Sequence, residues 1–385
     1  MRVEVKPELL QWARERAGLS VAALSKRFPR LEAWENRTAQ PTLKQLEAYA
    51  RATHAPVGYF FSPEPPVEEM PIPDFRTIAD AGVARPSPDL LDTVYVCQRR
   101  QDWYRDFALS EDLDPVPFAG AARVGDDVVR AADAMRHSLG FDLDVRRQLP
   151  TWTEALRQFI EQADEIGVLV MVNGIVGNNT HRKLRPDEFR GFALADPLAP
   201  LVFIDGADTR AAQMFTLAHE LAHIWLGESA ISDAGPASTP SNDVETWCNR
   251  VAAELLVPAA SLREQFRRSA PAREEATRLA RVFKVSTLVL LRRFRDIGEL
   301  GGEQFWREYE DEVAYLRSRE RRGRGDFYLT LCTRASRRFA RAFVVSTLEG
   351  RSSFTEAFRL LGFKKLTTFR NLGHSLGLAG KESLC

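Results

Sequence analysis

The sequence predicts a mostly helical α+β protein: a helical N-terminal domain, a larger core with a small sheet, and a small C-terminal domain. Three observations carry this. Helix-period apolar spacing with capping residues recurs along most of the chain. Three short apolar runs, 167–172, 191–194 and 201–204, have strand length. Residues 216–226, Thr-Leu-Ala-His-Glu-Leu-Ala-His-Ile-Trp-Leu, are apolar nearly all round and read as a buried helix. Domain boundaries are expected at 1–61, 62–73 (a proline-rich linker), 74–300 and 301–385.

The 385 residues suffice for two or three domains, and 53 Lys and Arg balance 53 Asp and Glu. A net charge of zero gives no whole-chain argument for nucleic-acid binding, so such activity needs a local patch. No apolar run approaches the roughly 18 residues of a membrane span, and Met-Arg-Val-Glu-Val-Lys-Pro lacks a signal-peptide core. Four cysteines, Cys97, Cys248, Cys332 and Cys385, with no close pairing point to a reducing cytoplasm.

Pro7 sits at a plausible first turn of a helix through Trp12. Ser20 caps a second, with Val21, Leu24 and Phe28 on one face, and Thr42 caps a later one through Ala50. A short helix, Leu31 to Glu35, lies between them. This run is similar to the Cro/repressor type of helix-turn-helix. Leu19, Ala23, Leu31, Trp34, Glu35, Pro41, Leu43, Leu46 and Ala50 stand where that family places apolar and turn residues. Only Pro29-Arg30 separates Phe28 from Leu31, about four residues fewer than usual. A recognition helix so shortened is poorly placed to reach base edges, which favours docking of a protein or a structural role over DNA binding.

After the linker, Ser87 or Pro88 starts a long helix carrying Cys97. Asp126 to His137 and Trp152 to Ile166 read as helices, and Asn173 to Leu184 as a turn or binding loop. Asp208 is expected to cap the helix over 216–226, and Gly227 to stop it. Residues 228–242 read as a small-residue loop, and Asp243 as the cap of a helix ending before Pro258. A sheet beside the buried helix suits a zincin, in which an edge strand can bind peptide by strand addition.

On that helix His219 and His223 are i and i+4, so both imidazoles reach one metal ion at about 2.0–2.1 Å. Glu220 falls beside it, where a general base for a bound water belongs. A third ligand is required, and the nearest downstream carboxylates are Glu228, Asp233, Asp243, Glu245 and Glu254. Glu245 is preferred because the loop before it is long enough to reverse direction. Asn249, one turn on, is a candidate to orient that carboxylate. The bland alternatives are core histidines satisfied by hydrogen bonds and, for Glu245, a surface carboxylate at a helix N-terminus.

Phe215-Thr-Leu-Ala-His-Glu-Leu-Ala-His223, followed by Glu245-x-x-x-Asn249-x-x-Ala-Ala-Glu-Leu-Leu-Val-Pro258, resembles the ImmA/IrrE family of metallopeptidases. The resemblance extends to the CapP-type peptidases of phage-defence operons. Residues 191–196 and 200–204 are similar too. Cys248 and Val257 depart from the family pattern, which has a small residue and Met there. The resemblance implies Zn²⁺ on His219, His223 and Glu245, Glu220 as base, and a helix-turn-helix repressor as protein substrate. Cleavage would release stress-response or phage-defence genes.

Such a protease needs restraint. Thiolate binds zinc at about 2.3 Å, and Cys97, the sole cysteine upstream of the metal helix, is a candidate inhibitory ligand. Its bland reading is a small buried residue. His181, Tyr95 and Tyr104 are candidate oxyanion stabilisers. The C-terminal part, helical over 336–348 and 353–361 with a basic link at 317–325, is assigned to sensing or docking, with a nucleic-acid signal among the candidate partners. The competing reading is a DNA-binding regulator with a structural or vestigial metal site, which has no need of Glu220.

Overall fold

The computed structural model describes residues 1–74, 86–232, 242–319 and 327–378, apart from the side chains at 317, 319 and 327–330. Asp233, Cys385 and most of the basic run at 317–325 lie outside the described residues. The chain divides into two compact units, Met1–Pro71 with Val83–Val94, and Ile72–Gly82 with Tyr95–Cys385.

In the first unit α1 (Pro7–Arg16), α2 (Val21–Ser25), α3 (Leu31–Glu35) and α4 (Leu43–Thr53) precede a short 3-10 turn, Val57–Phe61. Ser20 caps α2 by accepting from Ala23 N, and Thr42 and Gln45 form a reciprocal capping box on α4. Leu9, Leu10, Leu24, Phe28, Trp34, Leu46 and Tyr49 make the core, and Tyr49 Oη donates to Leu10 O at 2.8 Å. Arg14 clamps Glu35 with two bonds, 2.8 and 3.2 Å. α3 has only five residues, and Leu31 and Trp34 among them are buried.

Next come α5 (Pro88–Ser110), which enters the second unit at Tyr95, α6 (Val128–Leu139), α7 (Leu143–Arg147) and α8 (Trp152–Glu165). The sheet consists of β1 (Leu169–Asn173), β2 (Gly191–Leu194), β3 (Leu201–Asp205) and β4 (Ala230–Ser232), in the order β1-β3-β2-β4. β1 and β3 are parallel, and the other pairs antiparallel. β4 corrects the expectation of a loop over 228–242. Its three residues are too few to show a period, and Ala and Ser carry little strand preference.

Between β3 and β4 runs α9 (Arg210–Leu226), buried from Ala211 to Trp225 and packed on β2 and β3. Full burial of Leu217, Leu221 and Ile224 stabilises the fold by roughly 1.5–3 kcal/mol each. The helix cap is Thr209, which accepts from Ala212 N, and not Asp208, whose carboxylate accepts from Thr209 N instead. Gly227 ends the helix at φ 71°, the left-handed conformation that glycine adopts without strain.

α10 (Asp243–Leu256) packs on α9. Its cap is Asn242, one residue before the expected Asp243. α11 (Ala259–Gln265), α12 (Ala272–Phe283), α13 (Thr287–Asp296) and α14 (Gly302–Arg319) follow. Then come α15 (Phe327–Ala335), α16 (Arg337–Leu348), α17 (Phe354–Leu361) and α18 (Leu366–Ser375). α15 and α16 pack on β1, and α16 on α8 as well. Asp164, at the end of α8, accepts from Ser336 Oγ and from Arg338 N. The C-terminal helices therefore share the compact unit of the sheet.

Burial raises the Asp205 carboxyl to about 7, well above an unfolded aspartate, and Asp208 adds to the shift. Its Oδ1 accepts from Ala207 N at 2.8 Å, while Oδ2 has no hydrogen-bond partner among the described residues. The folded state thus holds a proton that the unfolded chain releases, and stability is lost as pH rises from about 4 through 7. Asp205→Asn keeps the Ala207 bond and removes this loss. Thermal unfolding should show the variant several degrees more stable at pH 8 and equal to the parent near pH 4.

Candidate metal centre

Two helices and two strands build the site. Thr209 sets the start of α9, and the helical period then places His219 and His223 on one face. Gly191 on β2 lets that face come close. A Cβ there would lie 2.7 Å from Thr216 Cγ2 and 3.1 Å from Glu220 Oε1. Asn242 sets the start of α10 and brings Glu245, in its first turn, to the two imidazoles.

His219 Nε2 and His223 Nε2 are 3.2 Å apart. Glu245 Oε2 is 3.2 Å from His219 Nε2, and Oε1 is 3.1 Å from His223 Nε2. All three residues are buried. Four ligands held tetrahedrally at 2.0–2.1 Å would stand about 3.3 Å from one another. The observed spacings are close to that. Glu245 Oε1 also lacks a hydrogen bond of acceptable geometry despite its nearness to His223. The three residues therefore fit a first-row divalent metal as its protein ligands.

Electrostatics agree. Burial alone would raise the Glu245 carboxyl, but the two imidazoles hold it well below the usual carboxylate range. Burial lowers His223 and so favours the neutral, ligating imidazole, against the opposing pull of Glu245. Glu220 is fully buried, and both its oxygens lack hydrogen-bond partners among the described residues. Burial, and then the charge of Glu245, raise its carboxyl well above the ordinary range.

Ser232, the last residue of β4, was not legible as a site residue. Its Oγ lies 3.3 Å from His223 Nε2, and it partly offsets the upward shift of Glu220. Only the strand pairing Gly191↔Ser232 carries it there.

The other candidates are not brought together. Cys97 lies outside the group of potential ligands among the described residues, and burial pushes its thiol up to about 12. Asn249 does not orient Glu245; its Oδ1 accepts from Arg292 on α13 at 2.8 Å. Arg292 in turn stacks 3.9 Å from the centroid of Phe215. His181 is exposed on the loop after β1, where its N–H donates to Asn179. Tyr95 is 40% exposed, and Tyr104 Oη accepts from Arg338 Nε at 2.7 Å. Glu254 is taken by Arg293 and by the N–H of Ala259. Cys248, one turn after Glu245, is buried, and burial and then the charges of Glu245, Glu220 and Glu228 raise its thiol.

Residues 163–295 match the family of IrrE N-terminal-like domains, and residues 335–375 match a domain of unknown function (DUF8813). The chain is also 35% identical over 96 residues to the radiation response metalloprotease IrrE of Deinococcus radiodurans. That alignment covers 24% of this chain and 29% of the relative, so it spans under a third of the relative's length. Residues 163–295 are thus similar to IrrE-type metallopeptidase domains, and that family implies a divalent metal that the three residues could bind.

Glu245→Ala should lower divalent-metal affinity at least ~100-fold, measured with Zn²⁺ and Co²⁺ against a competing chelator. Asn249→Ala should leave it within about threefold, because Asn249 bonds Arg292 and not the ligand. Equal losses in the two variants would contradict this assignment.

Proposed function

We propose that the protein is a cytoplasmic zinc endopeptidase that cleaves a helix-turn-helix transcriptional repressor and so releases stress-response or phage-defence genes. The observation that supports it best is Glu220, fully buried beside three converging ligands without being one of them. A structural metal site has no use for such a carboxylate, which is costly to bury.

His219, His223 and Glu245 would hold the zinc through Nε2, Nε2 and the carboxylate. When bound, it supplies Lewis acidity, lowering the pKa of a bound water from 15.7 towards ~7. Glu220 accepts the proton of the attacking water at its carboxylate and passes it to the leaving amide nitrogen. Burial raises its carboxyl above the ordinary range, which favours its holding the proton between the two steps. The dry surroundings strengthen these interactions.

The N-terminal unit is proposed as the part that docks the repressor. α3 keeps five residues with Leu31 and Trp34 turned into the core, which leaves little of it to read base edges. The absence, among the described residues, of a helix long and apolar enough to cross a membrane is compatible with this reading.

The test combines the zinc-loaded protein with the repressor encoded beside it. The parent should cut it once, and Glu220→Gln should slow cleavage about 10²–10⁴-fold with zinc still bound. Cutting by both proteins, or by neither under any inducing condition, rules the reading out.

A further inference from the structure

β4 is the edge of the sheet that borders the metal ligands. On its inner side it pairs with β2, Phe192 opposite Ile231. The alternation of an antiparallel ladder turns the Ile231 N–H outward. There it donates to Pro73 O at 2.9 Å, and Asp74 forms a parallel bridge with Ile231. Ile72 is 8% exposed, and Ala230, Ile231 and Ser232 are fully buried. The chain's own residues 72–74 therefore lie along the outer edge of β4, running in the same direction as β4 towards the end where Ser232 meets His223.

An extended peptide bound at that edge would use the same N–H. Residues 70–74 are Met-Pro-Ile-Pro-Asp. Pro71 and Pro73 have no N–H, so the segment accepts from β4 at Pro73 but has few donors with which to complete a ladder. Such a strand satisfies a buried edge N–H while remaining easy to replace.

We propose that Ile72–Asp74 is a removable occupant of the substrate-strand position on β4, which restrains the peptidase until it is displaced. The inference rests on the peptidase reading above.

Two full-length, zinc-loaded variants test this: Ile72→Glu, and the triple change Ile72→Gly, Pro73→Ser and Asp74→Gly. Hydrogen exchange at the Ile231 amide and the rate of repressor cleavage are measured, with zinc affinity checked to be unaltered. Both variants should exchange Ile231 at least tenfold faster than the parent and cleave at least tenfold faster. An Ile231 amide that stays protected overturns the proposal. So does faster exchange with cleavage equal to the parent's, an outcome in which the peptidase reading still stands. If no protein cleaves, the repressor reading fails. The occupancy claim is then decided by a synthetic peptide of residues 70–78 added at millimolar concentration to the triple variant. Renewed protection of Ile231 supports the claim, and its absence overturns it.

Discussion

Two imidazole nitrogens and a carboxylate converge in a buried core, His219 Nε2 and His223 Nε2 3.2 Å apart and each about 3 Å from one oxygen of Glu245, a convergence that a bound cation would stabilise. That constraint organises the second unit. Two imidazole nitrogens and a carboxylate are forced together by the packing of α9 on α10, and each was desolvated in getting there. A divalent ion bound there would join all three residues. The mostly apolar flanks of α9 bury the three residues and lower the dielectric around them. Glu220 shares the dry environment but is not one of the ligands, and this separates it chemically from Glu245: burial raises the one, and the imidazoles lower the other.

Around this centre, buried charges are held by partners that also tie elements together. Arg293 pairs with Glu254 and donates to Val257 O, closing the end of α10 onto α13. Arg292 bonds Asn249 and covers the ring of Phe215 on α9. Asp164 joins α8 to the start of α16. Each removes a charge from water only where hydrogen bonds replace the lost hydration. A motif residue such as Asn249 can therefore serve the packing of the helix that carries a ligand without touching the ligand.

Much of this was legible in the chain. Glu245 was preferred on the length of the loop before it, while the i, i+4 histidines and the three apolar strand runs follow from local periodicities. So do the caps Ser20 and Thr42 and the glycine stop at Gly227. What escaped were features whose cause is not local. Thr209 and Asn242 displaced the neighbouring aspartates as caps, because a shift of one residue depends on the direction from which the chain enters the helix. β4 is a strand because β2 offers it a ladder, and nothing in Ala-Ile-Ser requires it. Cys97 stands outside the ligand group among the described residues, and its position in the chain carries no information about distance.

By itself the sequence placed two imidazoles on one face of a buried helix with a carboxylate beside them, and offered Glu245 on a second helix as the preferred of several third ligands. It did so because helical spacing converts residue number into direction. Only the tertiary structure decided that Ser232 borders the ligands, that Gly191 must be small, and that the chain's own residues 72–74 lie along the edge of β4. Those facts depend on which strands become neighbours. Strand neighbours are set by the packing of the whole sheet against α9, and no window of sequence contains that packing.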